Sequence, residues 1–284
     1  MLSRLRVYLS FVRFSHSVFA LPFALAGALL AARHVDVTRS SVGWILVAMV
    51  TARSAAMGFN RLVDARIDAL NPRTANRELP RGAMTLREAG AFVTVASAAF
   101  VYAASQLNTL CLLLSPLALA IVFWYSLAKR YTTWTQLFLG LAMAVAPVGG
   151  WLAVGGRGGF EPWLLALAIG AWVGGFDVLY ACQDLEFDRA HGLRSIPARF
   201  GVAASLTISR AMHVVAIVCL AALPAVTPLP RVYLLGVGVV AGMLWYEQSL
   251  VRADDLSQVK RAFDLNGFVG ILYLIVLAVS IYVE

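Results

Sequence analysis

Acidic side chains recur at helical spacing in two well-separated stretches. Asn60, Asp64 and Asp68 follow one another at intervals of four, and Asp184 and Asp188 repeat that interval, with Asp177 seven residues before Asp184. At about 100° per residue, steps of four and seven keep side chains on one helical face, so each stretch forms an acidic stripe. Both stripes lie at the ends of long apolar segments, where clustered carboxylates are too costly to be idle. Carboxylate and amide oxygens are hard donors suited to Mg²⁺, which keeps several waters and is completed by substrate phosphates. No Cys or His cluster argues for zinc. Arginines follow each stripe, at Arg73, Arg77 and Arg81 after the first and at Arg194 and Arg199 after the second. Metal ions on one side and guanidinium groups on the other suit a diphosphate. The stripes therefore read as two halves of one metal-diphosphate site.

The elements that must carry them are membrane helices. The chain has 284 residues, 61% of them hydrophobic and 13% charged, with a mean hydropathy of +0.79. That is too apolar for a soluble domain and describes a polytopic membrane protein. Nine apolar segments approach the length of about 20 residues that crosses a bilayer, near 11–32, 42–59, 88–106, 109–128, 134–154, 162–181, 204–224, 231–250 and 265–283. They lack the alternation of barrel strands, and an open sheet would leave backbone groups unsatisfied in lipid, so the expected fold is all-α. A single domain over residues 1–284 accounts for the whole pattern. Arg4, Arg6 and Arg13 imitate the start of a signal peptide, but no small-residue cleavage site follows, and the first helix is expected to be retained.

Charge orients the bundle. The net charge is +8, but the basic residues are scattered between spans and form no nucleic-acid patch. Of the 23 Lys and Arg residues, Arg33, Arg39, Arg157 and Arg231 fall on one side, Arg53 lies inside the second span, and the rest fall on the other side. The positive-inside rule then makes the N-terminus and both acidic stretches cytoplasmic, as expected for a bacterial inner membrane. Trp44, Trp134, Trp163 and Trp245 near span ends fit an interfacial belt. Cys111, Cys182 and Cys219 lie in apolar runs without metal-ligand spacing, as packing residues do.

Each acidic stretch is followed by a comparable loop. After the first, Asn71-Pro72 ends the helical period, because the residue before proline is pushed out of the helical region. Arg77-Glu78-Leu79-Pro80-Arg81-Gly82 and Arg194-Ser195-Ile196-Pro197-Ala198-Arg199-Phe200-Gly201 then form a weak internal repeat, which suggests a site on an approximate internal axis. A diphosphate site at a membrane surface implies a substrate with a hydrophobic tail. A polyprenyl diphosphate fits, its head at the cytoplasmic mouth and its chain along the helices.

Three motifs carry a family resemblance over nearly the whole chain. Asn60-x3-Asp64-x3-Asp68 with the following Arg73-Thr74-Ala75-Asn76-Arg77-Glu78-Leu79-Pro80-Arg81-Gly82 resembles the first signature of the UbiA superfamily of intramembrane aromatic prenyltransferases. Asp177-x2-Tyr180-Ala181-x2-Asp184-x-Glu186-x-Asp188 looks like its second, and Tyr125-x3-Lys129-Arg130 resembles a third element. One departure is Arg61, where many members carry Asp directly after the Asn. It lies outside the four-residue repeat, so the metal site is expected to survive.

The resemblance implies nine helices around a central cavity with a cytoplasmic-side cap, and an electrophilic aromatic substitution. Mg²⁺ held by Asn60, Asp64, Asp68, Asp184 and Asp188 stabilises the leaving diphosphate. Lys129, Arg73, Arg77 and Arg194 are the diphosphate contacts it implies, and Arg130 the holder of an acceptor carboxylate. Asp177 is the group that orients or deprotonates the phenol or steadies the cation. Tyr180 and Phe14 are candidates to line the chamber. The second signature looks more like the 4-hydroxybenzoate polyprenyltransferase-like group, including members of the futalosine route to menaquinone, than like haem or chlorophyll prenyltransferases. The implied acceptor is 4-hydroxybenzoate or a dihydroxynaphthoate, with no obligate protein partner.

Plainer readings exist for each residue. A lone Asp-x3-Asp is a common solvated helix end, whereas two of them with Asn60 and basic loops are not. Lys129 and Arg130 are also placed to anchor a span, and Asp177 to pair with Arg53. His16, His34, His191 and His213 share no spacing. A transporter of an anionic substrate keeps its site near the midplane in broken helices, while here the polar residues gather at one face. A CDP-alcohol phosphotransferase needs a single composite motif with fixed glycines, absent from this chain.

Overall fold

The computed structural model describes residues 2–12 and 20–282; Arg13, Phe14 and His16 lie outside the described residues. The described residues form helices joined by loops, with no strand and one isolated bridge between Arg252 and Asp255. Helix α1 spans Leu2–Phe11, α2 Leu21–Ala31, α3 Arg39–Leu70, α4 Leu86–Leu107, α5 Thr109–Ala128, α6 Thr135–Ala153, α7 Glu161–Ala181, α8 Leu185–Ala190, α9 Ile196–Ala222, α10 Arg231–Ser249 and α11 Val259–Tyr282. Each of the nine expected apolar segments overlaps one of α2 to α7 or α9 to α11. Among the described residues seven helical stretches are long and apolar enough to cross a membrane; α2 is a shorter apolar helix, and α10 is not one of the seven. The molecule is an integral, multi-pass membrane protein.

Local chemistry sets the helix ends. Thr38 caps α3 by accepting from the Ser41 amide at 3.1 Å. Thr85 and Glu88 cap α4 reciprocally at 2.8 and 3.1 Å, satisfying two donors that the first turn leaves open. α3 runs well past its apolar part and carries the whole first acidic stripe before Asn71 turns to extended backbone ahead of Pro72. Ser195 caps α9, whose first turn carries Pro197, and Gly201, at φ +78°, kinks that helix near its start.

Packing relies on close backbone approach, as expected where lipid removes the hydrophobic drive between helices. A Cβ on Gly27 would lie 2.0 Å from the Pro147 carbonyl oxygen, and one on Gly150 1.9 Å from that of Ala24, so α2 and α6 touch backbone to backbone. Trp151, Trp172, Tyr233 and Tyr273 fill the interior, while Leu113, Leu235, Val95 and Phe268 stand exposed on the lipid-facing surface. Trp134, Trp163 and Trp245 are exposed near helix ends, as an interfacial belt requires. The three cysteines are free; Cys182 and Cys219 are buried.

Helices α2 to α7, with Met212 of α9, line a cavity of about 950 Å³. Its walls are almost wholly apolar, and among the described residues Arg53 is the one charged residue in its lining, accompanied by Tyr125. Leu117 of α5 and Leu141 of α6 line it and are also 57% and 48% exposed. The cavity therefore reaches the lipid-facing surface beside α5.

Candidate active site

The two acidic stretches meet at one end of the bundle. On α3, Asp64 is 2% exposed. Its Oδ2 accepts from Lys129 Nζ at 2.5 Å and from the Asn60 amide at 3.4 Å, and its Oδ1 from Arg130 Nη2 at 2.8 Å. One turn on, both oxygens of Asp68 accept from Arg77 Nη1, at 2.9 and 2.8 Å. Asp184 is held in a fork by Arg73, through Nε at 3.0 Å and Nη2 at 2.6 Å, and by the Asn71 amide at 3.2 Å. Arg73 thus reaches from the loop after the first stripe to the carboxylate of the second.

Asp188 accepts from Ser195 Oγ at 2.8 Å. Tyr180 lies beneath Arg73, ring centroid to guanidinium carbon 5.8 Å, with Phe263 of α11 at 4.7 Å on its ring. Burial acts to lower the Arg73 pKa, but the hydrogen bond and charge of Asp184, aided by Tyr180 and Asp68, outweigh it and hold the group above its ordinary value. Arg73 therefore stays cationic while bridging both halves.

The structure departs from several expectations. The second stripe is not one continuous helix: Cys182–Asp184 forms a 3-10 turn between α7 and α8, whose tighter winding shifts the phase of Asp184 and Asp188 relative to Asp177. Asp177 remains on α7, half-buried and further into the span. Arg194 points away from the carboxylates. Its side chain donates to the Tyr131 carbonyl at 2.6 Å and its amide to that of Lys129 at 2.8 Å, which pins the second loop to the end of α5. Arg130, expected to hold an acceptor carboxylate, donates instead to Asp64, to the Val63 carbonyl at 2.8 Å and to the Ser126 carbonyl at 3.0 Å, tying α5 to α3.

Among the described residues, no three His, Cys, Asp or Glu side chains stand grouped as a metal cage; Asp64, Asp68 and Asp184 are each paired with a basic partner. The donor set nevertheless fits Mg²⁺: Asp64, Asp68, Asp184 and Asp188 supply hard anionic oxygens and Asn60 an amide oxygen, at one mouth.

Some residues escaped the sequence reading of the site. Asn71, taken only as a helix breaker, donates to Asp184. Ser195 holds Asp188 while capping α9. Arg53, expected inside a span as a plain partner for Asp177, lines the cavity. Arg61 and Glu78 form a buried pair at 2.8 Å. The place of Arg53 seven residues before Asn60 already puts it on the face of the acidic stripe; no comparable spacing marks Asn71, Ser195 or the Arg61–Glu78 pair.

A family model for the UbiA prenyltransferase family matches residues 20–274. The chain belongs to this family. It is similar to the 4-hydroxybenzoate octaprenyltransferases of Vibrio parahaemolyticus serotype O3:K6, at 32% identity over 81% of this chain and 81% of the relative, and of Escherichia fergusonii, at 32% over 84% and 83%. The apo structure of a UbiA homolog from Aeropyrum pernix K1 superposes with a TM-score of 0.85 and 38% identity, over 93% of this chain and 98% of that one. A UbiA homolog from Archaeoglobus fulgidus bound to DMAPP and Mg²⁺ shares the fold, with a TM-score of 0.72 at 20% identity over 98% and 99% of the two chains. In this chain the two acidic stretches lie on α3 and on the turn from α7 to α8.

Proposed function

We propose that this protein transfers a polyprenyl group from its diphosphate to an aromatic hydroxy acid, 4-hydroxybenzoate or a dihydroxynaphthoate, in quinone biosynthesis. The observation that carries the reading is the junction of two acidic stretches, through Asn71 and Arg73, at the end of the bundle that also holds the helix α3 wall of an apolar cavity. Curated relatives named as 4-hydroxybenzoate octaprenyltransferases support it, as does a similar fold bound to DMAPP and Mg²⁺.

Asn60, Asp64, Asp68, Asp184 and Asp188 are the residues to hold Mg²⁺, which when bound supplies positive charge to the departing diphosphate. Lys129, Arg73 and Arg77, now on carboxylates, exchange those partners for phosphate oxygens, so each charge is paired in both states. The allylic carbon-oxygen bond breaks with its electron pair leaving on the diphosphate. A ring carbon of the phenol then attacks the allylic cation, and the proton that this carbon loses as the ring re-aromatises passes to the departed diphosphate. Asp177, between the acidic mouth and the cavity, steadies the cation, takes the phenolic proton during the attack and returns it to the product. Apolar walls keep water from the cation, and Tyr180, beneath Arg73, closes the chamber. Arg53 takes the acceptor carboxylate, since Arg130 is committed to α3 and α5. The prenyl chain lies in the cavity and emerges beside α5. The whole chain acts as one domain with nine crossings, its mouth and N-terminus cytoplasmic as the basic residues require.

The test is purified protein with labelled prenyl diphosphates of several lengths and a panel of aromatic acids. Prenylated hydroxy acid formed only with Mg²⁺ present supports the reading. Uptake of label into sealed vesicles without transfer defeats it and favours a carrier.

A further inference from the structure

We propose that the buried Arg61–Glu78 pair is a positioning device for the segment from Asn71 to Met84, which carries the cations that meet the diphosphate. Both residues are 4% exposed, and their ionic contact is 2.8 Å between Arg61 Nη1 and Glu78 Oε2. The other oxygen of Glu78 accepts from Ser10 Oγ at 2.5 Å, which ties α1 into the same node. The Glu78 backbone carbonyl accepts from the amides of Ala83 and Met84 at 2.9 and 3.2 Å, closing the turn around Gly82. A buried ion pair contributes little net stability over an apolar replacement, but breaking one leaves a buried charge uncompensated. Such a pair specifies an arrangement more than it strengthens a fold.

The arrangement it specifies is the active-site cap. Arg77 and Glu78 are consecutive, and they grip α3 at two points with opposite charge: Arg77 on Asp68, Glu78 on Arg61. Arg61 stands between Asn60 and Asp64 in sequence but about 60° off the line to Asp64, so Glu78 docks beside the acidic stripe without competing for it. Two fixed points seven residues apart on one helix set both the height and the rotation of the segment. Asn71 and Arg73, at its near end, are thereby held within reach of Asp184. The packing of Phe11 and Val12 against Met84 and Ala89 backs the same segment from outside. Arg61 and Glu78 act through Arg73 and Arg77.

The kinetic arm of the test rests on the diphosphate reading above, and the exchange arm does not. Full-length protein carrying Arg61→Gln, Arg61→Lys or Glu78→Gln is compared with the parent by amide hydrogen exchange across residues 71–84 and by steady-state transfer. Arg61→Gln is expected to speed exchange in that segment by about 10-fold or more, with α6 and α7 unchanged. It is also expected to raise KM for the prenyl diphosphate about 10-fold, with a smaller change in kcat. Arg61→Lys keeps the charge and is expected to retain most of the protection and the KM. Unchanged exchange in folded Arg61→Gln protein overturns the proposal. So does faster exchange with an unaltered KM, which reduces the pair to packing, and so does Arg61→Lys behaving like Arg61→Gln. If the parent protein transfers no prenyl group, the substrate reading has failed, and the exchange comparison alone decides the positioning.

Discussion

The two acidic halves of the site are built differently. The first sits on a single uninterrupted helix, α3, and its carboxylates are gripped by Lys129 and Arg130 just past α5 and by Arg77 in the loop after α3. The second is broken by the 3-10 turn at Cys182–Asp184, and its Asp184 is held by Asn71 and Arg73 of the first half. Among the described residues the loop after the second half shows no such grip on α3: Arg194 goes to the α5–α6 connection, and Ser195 to Asp188 and to the first turn of α9. A weak repeat in sequence has become an asymmetric pair, in which one half scaffolds the other. Arg73, Arg77 and Lys129 converge on the carboxylates because opposite charge must be supplied there. Either set alone would repel itself.

Mutation can sharpen that contrast. The largest effects belong to the carboxylates: Asp64→Ala and Asp184→Ala are each expected to cut prenyl transfer by on the order of 10²- to 10³-fold, while size-exclusion profiles show inserted, folded protein. Equal and nearly full activity in both variants would break the assignment of a shared site. Arg73→Ala is next, with a loss in kcat/KM of about 10²-fold. If the halves are joined through Arg73, its loss combined with Asp184→Ala costs less than the product of the single losses, and an additive double mutant argues that they act separately. Arg53→Ala is expected to raise KM for the aromatic acid about 10-fold while leaving KM for the prenyl diphosphate in place; a rise in the second constant instead would move Arg53 to the diphosphate. Ser195→Ala, which frees Asp188 and removes the cap of α9, is the smallest. It is expected to lower stability by about 1 kcal/mol and activity only a few-fold, read from the thermal midpoint and kcat side by side.

Legibility in the sequence tracked which interactions are local. Hydropathy marked the apolar segments, because lipid demands helices wherever a long apolar run must satisfy its own backbone. The four-residue interval disclosed the α3 stripe, because periodicity is a property of one helix, and the Asn71-Pro72 dipeptide disclosed where that helix stops. Charge asymmetry brought both stripes to one face. The break before Leu185 was not legible, since a single 3-10 turn changes no residue type and only shifts the helical phase of Leu185 and its successors.

Partnership was the other hidden variable. Arg130 and Arg194 are basic residues in the expected places, and nothing in their neighbours in sequence says that one would tie α5 to α3 and the other would hold a carbonyl. Arg61 and Glu78 looked incidental for the same reason: their meeting depends on how the chain folds back over α3 after Asn71. The amino-acid order by itself determined which segments are helical, which faces are acidic and which family the chain resembles, because those rest on interactions between near neighbours. Only the tertiary structure decided which charge meets which. Ion pairs in a low-dielectric bundle are chosen by the positions of whole helices and by the cost of leaving any charge alone, and both are settled by packing between segments far apart in the chain.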